Sequence, residues 1–229
     1  MKPPSIFHIL KKIITLDFSK NDHLTKLISS GVIIKDINSI FIEDTVEILP
    51  GTTIYPSTYL LGNTKIGSNC IIGPNSTISD TKIGDNSEIV FSIIFGSNIG
   101  KYNQIGPFAY IREESITEDN VTVGNFVEVK ASKIGKNSKS KHLAYIGDTE
   151  ISKNVNVGAG FVSANFDGKD KHKSFVEENV SIGSNSTIIS PIVISKNAVI
   201  GAGSVVTKDV ASDSIVAGVP AKKIKKGKK

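Results

Sequence analysis

The stretch "SKHLAYIGDTEISKNVNVGAGFVSANFDGKDKHK", beginning at Ser140, gathers His142, Tyr145, Asn156 and His172 within a few turns of chain. An imidazole changes charge near neutral pH, so His142 could take a proton from an attacking nucleophile. Upstream, Arg112 is the only arginine in a chain that otherwise uses lysine. A planar guanidinium suits two-point binding of a phosphate, a task a lysine ammonium performs less well. Proton transfer beside an anion site is chemistry that needs fixed spacing. The question is which elements could supply it.

The positioning device is a repeat. Ile42, Ile48, Ile54, Leu60, Ile66, Ile72 and Ile78 are spaced by six, and after shorter steps the pattern resumes through Ile99, Ile105 and Ile111. It continues through Val123, Val129, Ile134, Ser140, Ile146, Ile151 and Val157, breaks at "SANFDGKDKHKS", and returns from Val176 to Val206. A period of six predicts an all-β fold, a parallel β-helix in which each hexad forms one flat side. Three sides make a coil, and coils stack at about 4.8 Å, so about eight or nine coils give a prism ~40 Å long. Every third hexad then shares a face. Counting through the shortened steps places His142, Ala159, Ser184 and Ala202 in one column roughly 14 Å long, suited to a thin ligand lying along the prism. On the next face Arg112 and Lys130 become stacked neighbours, with the broken segment emerging above them.

The remaining sequence bounds the function. Aromatic residues make up 7% and Trp is absent. Cys70, the single cysteine, falls among core positions; no internal disulfide is possible, which fits a reducing, cytoplasmic compartment. The net charge of +5 is concentrated in "KKIKKGKK" at the C-terminus, leaving a near-neutral body, an arrangement that argues against nucleic acid. No apolar run is long enough to span a membrane. The chain divides into an N-terminal helical cap (1–40), a β-helix domain (41–210) with an excursion loop at 161–175, and a basic tail (211–229). In the cap, Ile6, Ile9, Leu10 and Ile13 share one helical face and Leu24, Leu27 and Ile28 another, with Gly31 as a stop. His172 reads as part of a polar loop. No third histidine can join it and His142, so a three-histidine zinc site is not expected.

Four stretches, "IGPFAYIREES", "VGNFVEVKAS", "SKHLAYIGDTEISKNVNVGAG" and "NFDGKDKHKS", resemble the hexapeptide-repeat acyltransferases, and among them the acetyltransferase domain of bacterial bifunctional N-acetylglucosamine-1-phosphate uridyltransferase/glucosamine-1-phosphate acetyltransferases. The resemblance runs from about residue 45 to residue 210. It implies a left-handed β-helix and a homotrimer with sites between subunits. It also implies acetyl transfer from acetyl-CoA to glucosamine 1-phosphate, with no metal needed. By the same resemblance His142 is the general base, and Arg112, Lys130, Tyr145 and Asn156 contact the sugar phosphate. Ala159, Asn165, Phe166, Ser184 and Ala202 line the acetyl-CoA groove. Glu128 and Asp148 are candidates to support them. Phe166 stands where that family has tyrosine, and Gly218 where it has an arginine, whose charge Lys222 and Lys223 could replace. No uridyltransferase domain precedes the β-helix, so a separate protein is expected to add the uridylyl group. The alternatives are another, nucleotide-linked amino sugar as acceptor, or a non-catalytic β-helix that serves as an assembly module.

Overall fold

The computed structural model describes residues 22–224. Expectations for Ile6, Ile9, Leu10 and Ile13, and for the last five residues of the tail, lie outside that range. Helix α1 (Asp22–Ser29) buries Leu24 and Leu27, and Ile28 is left 47% exposed rather than sharing their face. The helix stops where expected. Gly31, at φ +97°, lets its own N–H donate to the Ile28 carbonyl and that of Val32 to Leu27, which closes the last turn.

Beyond α1 the chain is a left-handed parallel β-helix of about 10 turns. The first face is a continuous parallel ladder from Ile33–Ile34 to Ile215–Ala217. The second runs from Phe41–Ile42 to Val205–Val206. The third runs from Glu47–Ile48 to Val193–Ile194. The helix is longer than the six-residue count predicts because coils continue at both ends. Ile33–Ile34 pairs with Thr53–Ile54 inside the segment read as a helical cap, and Ile215–Ala217 pairs with Val199–Ile200 inside the segment read as a tail. Lys222–Lys223 then folds back antiparallel on Val216 and Ala217, which covers part of the last strand.

The core is the column of inward residues. Ile54, Leu60, Ile72, Ile78, Ile89 and Ile94 are fully buried, each worth ~1.5–3 kcal/mol relative to exposure. Thr117 and Ser163 take inward places where the pattern calls for an aliphatic residue. The Ser163 hydroxyl accepts the Gly147 N–H at 2.7 Å, so the coil closes without an apolar side chain there. Val162–Ala164 and Ser174–Val176 therefore remain strands, and the excursion is confined to residues 165–173.

Corners are turned by left-handed residues, and one corner is lined with asparagine. Asn120, Asn137, Asn154, Asn179 and Asn197 all lie at φ near +60°. Asparagine tolerates this region better than most residues. Their amides bond in a chain: Asn120 to Asn137 at 2.8 Å, Asn137 to Asn154 at 3.1 Å, Asn154 to Asn179 at 3.1 Å, Asn179 to Asn197 at 3.1 Å, and Asn197 to Asp213 at 2.9 Å. Asn154→Ala loses both amide links and the tolerance of positive φ, whereas Asn154→Gly loses the links but keeps that tolerance. In thermal denaturation the alanine variant should melt below the glycine variant; equal midpoints would mean that the corner conformation carries no strain.

Candidate active site

The register confirms the spatial count. Val123, Ser140, Val157, Ile182 and Ile200 stack on the first face, and Ile111, Val129 and Ile146 on the second. Arg112 and Lys130 are thus successive outward residues of neighbouring coils on the second face. Tyr145 lies on the same face, one coil above Glu128. Asn156 is outward on the first face, between Lys139 and Ser181. His142 stands at the corner between these two faces, directly above Asn125.

At rest each cation is held by a carboxylate. Arg112 Nη1 donates to Glu128 Oε1 at 3.0 Å, Nη2 lies 3.5 Å from Glu113 Oε1, and the guanidinium sits 5.7 Å from the Tyr110 ring centre. Lys130 Nζ lies 3.1 Å from Asp148 Oδ2, with its side chain only 13% exposed. Burial works against the Lys130 charge, and Asp148 outweighs it, so the Lys130 pKa lies above its ordinary value. Glu128 and Asp148 therefore hold the two cations.

His142 has a different partner. Its Nδ1 lies 2.8 Å from the Asn125 Oδ1. A carbonyl oxygen only accepts, so Nδ1 is the donor in this contact and Nε2 takes no part in it. The side chain is exposed. Asn125 was not among the residues singled out in the sequence; its place one coil below His142 is the signal that could have found it.

The excursion loop reaches the second face. The buried Asn165 spends its amide on Asp148, the carboxylate that also holds Lys130. Phe166 is 59% exposed and forms an antiparallel bridge with Lys171. Lys171 faces Lys130, whose contact and charge, reinforced by Arg112, push the Lys171 pKa below the ordinary lysine value. Lys171 is the second residue the sequence reading missed, because "KDKHK" offers several equivalent lysines and only the hairpin shows which one pairs with Phe166.

Above His142 the column is shallow. Ala159 accepts the Asn185 N–H at 2.6 Å and Ser184 accepts the Gly203 N–H at 2.8 Å, so these backbones lie directly one above another. A Cβ at Gly158 or Gly183 would meet the next coil at 2.6 or 2.4 Å, so the strip beside Ala159, Ser184 and Ala202 has no room for side chains. Lys222 and Lys223 sit at its upper end, against the strand that carries Ala217. Gly218, at φ +99°, turns the chain there. A separate groove of about 500 Å³ on the third face, lined by Glu118, Lys133, Glu150, Lys153, Glu178 and Lys196, holds none of these residues. Its charges are mutually paired, with Lys133 2.6 Å from Glu118 and Lys153 2.9 Å from Glu178. Among the described residues no group of side chains could hold a metal ion, and no helix is long and apolar enough to cross a membrane.

Comparison with known proteins agrees with this geometry. Residues 37–144 match a family model described as the GMPPB C-terminal domain, and residues 175–208 one described as a hexapeptide repeat of succinyl-transferase. The chain is 46% identical to the "Bifunctional protein GlmU" of Carboxydothermus hydrogenoformans over 82% of its length and 42% of the relative's. It is 46% identical to that of Clostridioides difficile over 86% of its length and 43% of the relative's. For Thermotoga maritima the values are 45%, 89% and 46%. The chain thus spans less than half the length of these relatives. The solved UDP-N-acetylglucosamine acyltransferase of Francisella novicida superposes with a TM-score of 0.52 at 19% identity, over 84% of this chain and 70% of that one, a likeness of fold.

Gly147 offers a direct check on the site. The Tyr145 ring folds over it, and a Cβ there would lie 2.4 Å from the Tyr145 hydroxyl. A crystal structure of Gly147→Ala should show the ring swung off the second face with the coil unchanged; a ring left in place would contradict the packing described.

Proposed function

Because the chain belongs to the hexapeptide-repeat acyltransferases and matches the acetyltransferase part of GlmU proteins, we propose that it transfers an acetyl group from acetyl-CoA to the amine of glucosamine 1-phosphate. The observation that carries this reading is the stacking of Arg112 and Lys130 on one face, with His142 at the adjoining corner and its Nδ1 turned to Asn125.

In this reading the sugar phosphate displaces Glu128 and Asp148 from part of their contact with Arg112 and Lys130, and Lys171 adds a third positive charge. Charge-assisted contacts to phosphate also orient the sugar, so that the amine is delivered to a fixed place. Tyr145 and Asn156 contact the sugar from the two faces that meet at His142. His142 Nε2 takes a proton from the amine as its nitrogen attacks the thioester carbonyl. Asn125 keeps the imidazole in the accepting tautomer and stabilises the imidazolium that forms. The tetrahedral intermediate collapses with loss of the CoA sulfur, which receives a proton from the imidazolium. A backbone N–H near Ala159 is the nearest donor type for the oxyanion. Acetyl-CoA lies along the strip of Ala159, Ser184 and Ala202, with Phe166 at its side and Lys222 and Lys223 near its phosphates. Asn165 contributes by fixing the loop that carries Phe166.

A shallow strip on one prism calls for a second wall. The exposed ridge of Phe91, Phe108, Phe126 and Leu143 follows the corner next to His142 and supports a trimer with sites between subunits. In this reading the β-helix carries acetyl transfer without uridylyl transfer.

An assay of free thiol release with acetyl-CoA and a panel of amino sugars tests the proposal. Glucosamine 1-phosphate should be the preferred acceptor, and His142→Ala should lower its turnover by roughly 10² to 10⁴. Arg112→Lys keeps the charge but loses the fork, and should lower efficiency about tenfold or more. Glucosamine without its phosphate should be a poor acceptor, little affected by Arg112→Lys. Preference for a nucleotide-linked amino sugar, or pyrophosphate release from UTP, would overturn the assignment.

A further inference from the structure

The loop that delivers Lys171 has no apolar core. Asp167, Gly168, Lys169, Asp170 and Lys171 are all exposed. Its shape rests on polar contacts that the mechanism does not use. The His172 N–H donates to the Asn165 carbonyl at 2.7 Å, and the Asp167 N–H to the Asp170 carbonyl at 3.1 Å, so the segment is a tight hairpin. Gly168, at φ +100°, turns its tip.

One carboxylate ties this hairpin together. Asp167 Oδ1 accepts the backbone N–H groups of Lys169 at 2.8 Å and Asp170 at 2.7 Å. Its Oδ2 lies 2.6 Å from His172 Nε2 on the returning strand. The His172 contact and the two backbone donors hold the Asp167 carboxyl well below the usual carboxylate range, which keeps it charged. Lys171 lies between the two arms of this tie, next to His172 in sequence and opposite Phe166 in the bridge.

We propose that Asp167 and His172 form a clasp that positions Lys171 beside Lys130, and so sets the affinity of the cationic site for a phosphate-bearing acceptor. Neither residue touches the reacting atoms; both are positioning residues that act through Lys171. The inference rests on the reading that Arg112, Lys130 and Lys171 receive the acceptor's phosphate. Without the clasp an exposed hairpin with a glycine tip samples many shapes, and Lys171 spends little time facing Lys130 against the repulsion of a like charge.

Steady-state kinetics of native protein, Asp167→Ala, Lys171→Ala and the double variant test this. Asp167→Ala should raise KM for glucosamine 1-phosphate about tenfold, the scale of one charge-assisted contact. Its kcat and its KM for acetyl-CoA should stay within about twofold, and Asp167→Asn, which can still accept the two backbone N–H groups, should recover much of the loss. In the Lys171→Ala background, Asp167→Ala should add nothing, because the group it positions is gone. Full additivity of the two losses, or an equal rise in KM for acetyl-CoA, would overturn the proposal. If the native protein does not acetylate glucosamine 1-phosphate, the proposed function fails, yet the clasp is still decided. Amide hydrogen exchange at His172 should quicken in Asp167→Ala, and an unchanged rate would show that no clasp exists.

Discussion

The placement of Arg112, Lys130, Tyr145 and His142 depends on the backbone hydrogen bonds between successive coils. The Arg112 N–H donates to the Val129 carbonyl at 2.8 Å, the Tyr145 N–H to Phe161 at 2.9 Å and the Gly158 N–H to Ile182 at 2.9 Å. Each of these three bonds brings residues sixteen or more positions apart to the strand spacing of about 4.8 Å. The register cannot slip by one residue, because a slip would turn the buried column of Ile, Leu and Val outward. Side chains far apart in sequence are thus held at fixed separations by the main chain. No loop closure is needed to bring Arg112 to Lys130, or His142 to Asn125.

That rigidity explains how charge is stored at the site. Two stacked cations would repel, and Glu128 and Asp148, each one coil-step away, offset the repulsion at rest. The contact and charge of Lys130, with a smaller contribution from Arg112, lower the Lys171 pKa, and Asp148 opposes them. Lys171 lies on the 165–173 excursion, which leaves the coil, whereas Arg112 and Lys130 lie on its rigid second face.

Much of this was legible in the sequence because the repeat is also a ruler. Counting by sixes put Arg112 beside Lys130 and lined up His142, Ala159, Ser184 and Ala202, and the register reproduces both columns. What escaped the count follows from where its signal is weak. Thr117 and Ser163 occupy inward places without an aliphatic side chain, so the coil that holds Ser163 read as broken when only residues 165–173 leave it. Ile33–Ile34 and Ile215–Ala217 extend the helix at ends where too few hexads remain to show a period. Asn125 and Lys171 are set by contacts across coils and within a hairpin, which period alone does not encode. Their resemblance-derived neighbours, Asn165 and Phe166, fall on that same hairpin, with the Asn165 amide committed to Asp148.

The central claim is that coil register sets the distance between the anion site and the base. Its most direct test is the acetylation rate of a variant in which one whole coil, residues 113–130, is duplicated in tandem. The fold should tolerate it, since each repeat contacts only its neighbours. Arg112 would then lie one coil, about 4.8 Å, further from the Lys130 copy beneath His142. Misplacement by even 1 Å can cost on the order of 10²-fold, so the account predicts a folded protein with acetyl transfer reduced at least that far. A folded variant that acetylates glucosamine 1-phosphate at the native rate would contradict it.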